Sequence, residues 1–228
     1  MDKDVTRTFA RFASELVYDD IPQSARDHSR HLLLDALACA LAGYEGEDTP
    51  KVARFAAALG QSQEAGVIGG GRLSLAGATA LNGFLITAVS MCDVYRPTAT
   101  HLQPVVVPPA LAIAEREDAS GRDLLVALAA GFETATRIGA GMDYQAFRQR
   151  GWHGPGVIGP FGAAAAVGRI LGFDADKMAM AYGLAGSQAA GTFAAWGTSS
   201  VKFHQFRGAL SGLMAALLAG RGVVATRE

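Results

Sequence analysis

Cysteine is nearly absent from this chain of 228 residues: Cys39 and Cys92 are the two it has. Neither stands at a spacing that metal or redox motifs use, so neither a disulfide framework nor a cysteine metal site organises the fold. Charged residues are sparse as well, 18% of the chain against about 25% in ordinary globular domains. Lys+Arg 20 against Asp+Glu 21 leave a formal charge of −1, and no basic run alternates with aromatics, which removes the electrostatic footprint of a nucleic-acid binder. The N-terminus, MDKDVTRTFARF, has no apolar stretch of the kind a secretory signal carries. Two apolar stretches, 154–173 and 209–224, are each interrupted by an arginine (Arg169, Arg221) and crowded with Gly and Ala, the pattern of buried helices rather than membrane spans. The expectation is a soluble, cytoplasmic protein with no membrane and no nucleic-acid partner.

What is present is apolar and periodic. Half the residues are hydrophobic, enough to bury a sizeable core, and they recur at helical spacing. Val5, Phe9, Phe12 and Leu16 mark one face of a first helix, and Pro22 closes the connection after it. Further helices are expected over 24–41, stopped by Gly43, and over 51–59. Next come one from the Ser74 cap to Met91, one opened by Pro108 and Pro109 and ending near Glu117, and one capped by Ser120 and running to Ile138. The last three are expected over 156–171, over 174–189, and from His204 into Gly220. GVIGGG (66–71) allows only a brief extended piece, and no linker-like tract divides the chain. Residues 1–228 therefore read as one all-α domain, a compact helical bundle.

Familiar catalytic motifs fail on context. GPGVIG (154–159) matches the dinucleotide pattern G-x-G-x-x-G, but QAFRQRGWH upstream is no strand; the glycines read better as a turn into a helix whose free N–H groups suit an anion. GSQAAG lacks the spacing of a nucleophile elbow, and no cluster has metal-ligand spacing. Polar chemistry is left to three segments beside apolar helices. DVYRPTATH carries Asp93, Tyr95, Thr98, Thr100 and His101; RGWHGPG carries His153 and Gly154; SSVKFHQFRG carries Lys202, His204 and Arg207. His28 and His31 lie among charged residues of a helix and read as surface or half-buried positions. Imidazoles and an ammonium sharing one cleft suit an acidic small molecule and proton transfer near neutral pH.

These segments, together with LLLDALACALAG, ATHLQPVVVPPALAIAERE, SGRDLLVALAAGFETATRIG and GWHGPGVIGPFGAAAAVGRILGFD, resemble the MmgE/PrpD family in order and spacing almost end to end. The family contains 2-methylcitrate dehydratase, cis-aconitate decarboxylase and iminodisuccinate epimerase. The resemblance implies an all-α large domain with the active site under a smaller α+β lid, no metal or other cofactor, and homodimerisation through the helical domain. It places Asp93, His101, His153 and Lys202 in the catalytic site, His153 and Lys202 neutralising substrate carboxylates and His101 moving a proton. Tyr95, Thr100, Gly154 and His204 are expected to contact substrate.

The chain departs from the family pattern H-A-L-D-Y-D-D-T, which here is AVSMCDVY with Asp93 retained; HPG has become HLQ, and G-x-H-x-T has become GWHGP. The matched region ends at GRGVVATRE, where family members enter the lid. The expectation is a lyase subunit acting on a small di- or tricarboxylate by dehydration or decarboxylation through an enolate-like intermediate, its lid on a separate chain. The alternatives are a non-catalytic carboxylate-binding or partner subunit, and a family epimerase or isomerase.

Overall fold

The computed structural model describes residues 4–226. They form eleven α-helices: α1 (Val5–Glu15), α2 (Gln23–Ala42), α3 (Thr49–Ala57), α4 (Leu75–Ala88), α5 (Gln103–Arg116), α6 (Gly121–Gly141), α7 (Tyr144–Gln149), α8 (Gly154–Val157), α9 (Gly159–Ile170), α10 (Ala175–Gly186) and α11 (Ser200–Gly220). The sheet content is β1 (Ala65–Gly66) against β2 (Arg72–Leu73), antiparallel, with Ala65 opposite Leu73. The all-α reading holds, and GVIGGG is the turn of that small hairpin. Among the described residues no helix is long and apolar enough to cross a membrane.

Local chemistry starts several helices where the sequence says it should. The Ser74 hydroxyl accepts the Gly77 N–H at 3.1 Å, and Ser120 forms a reciprocal capping box with Asp123. Asp174 accepts from Lys177 at 2.8 Å to open α10. The middle of the bundle is α4, α5, α9 and α11, in which Val105, Val106, Val107 and every residue from Ala163 to Val167 are inaccessible to solvent. Small side chains let backbones touch there. A Cβ on Gly131 of α6 would stand 2.8 Å from the Gly162 carbonyl oxygen of α9, and one on Gly162 would stand 2.7 Å from that of Gly131. Only glycine fits at either place.

Four expectations need correction, and one short helix is added. Pro108 and Pro109 do not open α5; they lie inside it, and Pro104 is the first-turn proline. Having no N–H, Pro108 and Pro109 leave the carbonyls of Pro104 and Val105 without their helical partners. The helix persists because it is buried almost throughout by its neighbours. Helix α11 begins at Ser200 rather than His204, so Lys202 and His204 are helical, not loop, residues. The expected helix over 156–171 is divided at Ile158 into α8 and α9, while α4 stops at Ala88, short of Met91. The short α7, absent from the periodicity reading, has Asp143 as its cap.

Candidate functional site

After α4 the chain turns sharply, with Ser90 at φ 58°, into an irregular segment carrying His101. That segment closes on itself: the Tyr95 N–H donates to the Thr100 carbonyl at 2.9 Å, and the Thr100 N–H returns to Tyr95 at 3.3 Å. Asp93 then reaches forward to the start of α5, its carboxylate accepting the N–H groups of Leu102 at 3.2 Å and Gln103 at 3.0 Å. An anion is favoured at a helix N-terminus. Burial nevertheless pushes the Asp93 carboxyl up to about 6, the two N–H bonds opposing the shift. The main-chain carbonyl of Asp93 meets His101 Nδ1 at 2.6 Å. A carbonyl only accepts, so Nδ1 carries a proton and Nε2 is the nitrogen His101 can use elsewhere.

Gln103, fully buried, secures this arrangement to α2. Its amide donates to the Leu32 carbonyl and to Asp35 Oδ2, both at 2.9 Å, and accepts the Asp93 N–H at 3.2 Å. The glutamine of HLQ thus anchors the histidine beside it.

His153 stands at the N-cap of α8, its N–H donating to the Gly191 carbonyl at 3.0 Å. Its Nδ1 lies 3.0 Å from Nδ1 of His204. Burial, followed by nearby His204, His101 and Arg148, pushes His153 down to about 4, so at neutral pH the resting ring is uncharged. Lys202 projects from the first turn of α11 and donates to the Ala88 carbonyl at the end of α4.

His101, His153 and Lys202 come from remote parts of the chain and line one cavity of about 600 Å³. Thr87, Ser90, Thr198 and Ser199 add hydroxyls, Trp196 forms an exposed wall, and among the described residues no Asp or Glu lines the space. Gln205, one turn after Lys202, also faces it; Gln205 is buried and its amide oxygen has no hydrogen-bond partner.

The other expected contacts sit elsewhere. Asp93 and Tyr95 line a different hollow, shared with His28, Glu133 and Arg137. The buried Thr100 hydroxyl donates to the Thr98 carbonyl at 2.8 Å. Gly154 is buried against Thr100: a Cβ there would stand 2.5 Å from Thr100 Oγ1. His204 lies behind His153, off the cavity lining. His28 and His31 are exposed on α2, the surface alternative of the two expected. Cys92, Asp93 and His101 bring possible metal-ligating atoms within 4.8 Å of one another. Each is engaged otherwise: the carboxylate caps α5, His101 Nδ1 donates to a carbonyl, and burial pushes the Cys92 thiol up to about 12.

The MmgE/PrpD N-terminal domain matches residues 7–228. This chain belongs to the MmgE/PrpD family. Its relatives include the cis-aconitate decarboxylase-like protein oryM of Aspergillus oryzae, 36% identical over 98% of this chain and 48% of the relative. The cis-aconitate decarboxylase of Aspergillus terreus is 32% identical, over 98% of this chain and 47% of its own length. The mouse cis-aconitate decarboxylase is 27% identical over 100% of this chain and 48% of its own. The chain therefore spans about half the length of the curated relatives it matches.

Within this MmgE/PrpD domain, Thr87, Ser90, Trp196 and Gln205 are cavity residues the sequence reading missed. Gln205 was signalled by its place three residues after Lys202, on the same helical face. Trp196 was signalled by a large aromatic amid the glycines and hydroxyls of GTFAAWGTSS.

Proposed function

We propose that this domain supplies the carboxylate-binding half of a lyase site acting on a small di- or tricarboxylic acid. The observation carrying the reading is the convergence of Lys202, His101 and His153 on one cavity that no carboxylate of the described residues lines. Its volume lies in the usual range for small-molecule sites, roughly 300–1,000 Å³. Lys202 supplies the fixed positive charge, and the surrounding hydroxyls supply donors to carboxylate oxygens. Loss of carbon dioxide, or of a proton beside a carboxylate, leaves an electron pair on the substrate as an enolate-like anion; a cation already in place stabilises that charge as it develops. His101 delivers or removes the proton at Nε2, its ring held by the Asp93 carbonyl. Neutral His153 hydrogen-bonds a carboxylate and becomes cationic when the anion docks beside it.

The relatives' names favour decarboxylation of cis-aconitate as the first reaction to assay. Binding of cis-aconitate and citrate to the chain is measured by calorimetry. Turnover is then measured with the second half of the relatives' length included, on whichever polypeptide carries it. Saturable binding lost in Lys202→Ala supports the proposal; unchanged binding in that variant sinks it. Asp93 lies off the cavity lining, which favours a second reading, binding without turnover. Binding with no release of carbon dioxide or water, and no exchange of substrate hydrogen for deuterium, would select it. Exchange alone would select an epimerase or isomerase.

A further inference from the structure

His204 has left the cavity lining and yet stays bonded to a residue on it. Its Nδ1 is 3.0 Å from Nδ1 of His153, with ring centroids 5.2 Å apart and planes inclined at 48°. The two residues are 7% and 3% exposed, and at 3.0 Å the two nitrogens touch directly, with no room for a bridging water. Two ring nitrogens bond to each other only when one bears a proton and the other a lone pair. Two bare nitrogens repel, as do two protonated ones. The contact therefore holds one proton, and Nε2 is the nitrogen His153 has left for a ligand.

We propose that His204 is a positioning residue: through the Nδ1–Nδ1 hydrogen bond it fixes the ring orientation and proton arrangement with which His153 meets a carboxylate at Nε2.

The surroundings are arranged for this pair. The Gly191 carbonyl holds the His153 N–H, and a Cβ on the same glycine would touch Cγ and Nδ1 of His204 at 3.4 Å. Arg207, one turn after His204, donates to the carbonyls of Gln188 at 2.7 Å, Gly156 at 2.8 Å and Ala190. It thereby ties α8 to the loop carrying Gly191. The charged and titratable groups acting on the two rings are His101 from the loop after α4, Arg148 from α7 and Arg207 from α11. All are cations or become so on protonation, and among the described residues no carboxylate bonds to either ring. A second proton on the pair is disfavoured on every side, in keeping with the downward shift of both imidazoles. A carboxylate bound at Nε2 of His153 is the missing counter-charge.

The proposal rests on the carboxylate reading of the cavity for its ligand, but the pair can be observed without one. Long-range ¹H–¹⁵N correlation on the full chain, labelled at histidine nitrogen, reports which ring nitrogens carry protons at neutral pH. One protonated and one bare Nδ1 are expected for His153 and His204. His204→Phe keeps an aromatic ring but removes Nδ1; the His153 shifts should move, and citrate affinity should fall about tenfold, the scale of one hydrogen bond. His204→Asn sacrifices volume but puts an amide where Nδ1 stood, and should hold affinity within about threefold. A purely packing role would reverse that order. Two bare Nδ1 atoms, or a His204→Phe chain with unchanged His153 shifts and citrate affinity, would overturn the proposal. A chain that shows the one-proton pair yet binds neither citrate nor cis-aconitate would overturn the carboxylate reading instead.

Discussion

His101 and His153 face the same cavity and are held by opposite means. His101 is bonded to a main-chain carbonyl, which can never donate, so the proton on its Nδ1 is permanent. His153 is bonded to a second imidazole, which can donate or accept, so its proton arrangement depends on its partner. The first wall is braced by Asp93 and Gln103 into α2 and α5; the second leans on His204 and a loop fastened by Arg207. A backbone anchor makes a side chain's chemistry constant, whereas a side-chain anchor makes it conditional. The proton-transfer role proposed for His101 calls for the first property, and the carboxylate-docking role proposed for His153 for the second.

The strongest way to test that the two walls make one site is to remove what they share. Lys202→Met should leave the fold and both histidine environments intact but weaken citrate binding about 100-fold, the scale of deleting one partner of an enclosed charge pair. Next is the seam. Gly154 abuts Thr100, so each wall contributes the neighbour of its own histidine to a single contact. Gly154→Ala should cost about 2 kcal/mol in urea unfolding, as overpacking does, and should weaken binding by moving His101 and His153 apart. Unchanged stability would mean the walls are not wedged together.

Acid should act on the two walls with opposite sign. The His153 pKa falls from 6.5 to about 4 on folding, so its contribution is present above pH 6.5 and is lost as the pH drops toward 4. The Asp93 pKa rises from 3.8 to about 6, so its contribution is complete below 3.8 and is lost as the pH rises through 6. Each is worth about 1–3 kcal/mol by linkage, and between pH 6 and 4 they offset each other. Asp93→Asn, which keeps an acceptor for α5, should unmask the His153 term as a steeper loss of stability over that interval. An unchanged pH profile would refute the opposed titrations. The smallest effect is expected at Gln205. Gln205→Leu removes a buried amide oxygen that has no partner, so stability should hold or rise by up to about 1 kcal/mol while citrate affinity declines severalfold. A clear loss of stability would show that the amide is satisfied within the fold.

Much of this architecture was readable in advance, for identifiable reasons. Apolar periodicity located the major helices, and Ser74 and Ser120 marked two helix starts because caps act through neighbouring N–H groups, a local effect. Pro108 misled because burial of α5 outweighs the lost hydrogen bonds, which no short window reveals. At the site, resemblance supplied His101, His153 and Lys202. The separation of Asp93, Tyr95, Thr100 and His204 from the cavity was not legible. It depends on which way a closed loop and a helix face turn, and that is decided by tertiary partners such as Gln103 and Gly191.

The two adjacent prolines of α5 have one more consequence. Because Pro108 cannot donate, the oxygen of Pro104 lacks its partner four residues on, and Gly83 of α4 comes so near that a Cβ there would stand 2.9 Å from it. The defect in one helix thus becomes a berth for another, where a Cα–H can lie against an acceptor short of its regular helical bond. Repairing α5 with an alanine at 108 would withdraw that oxygen into its own helix and loosen the docking of the element whose far end receives Lys202.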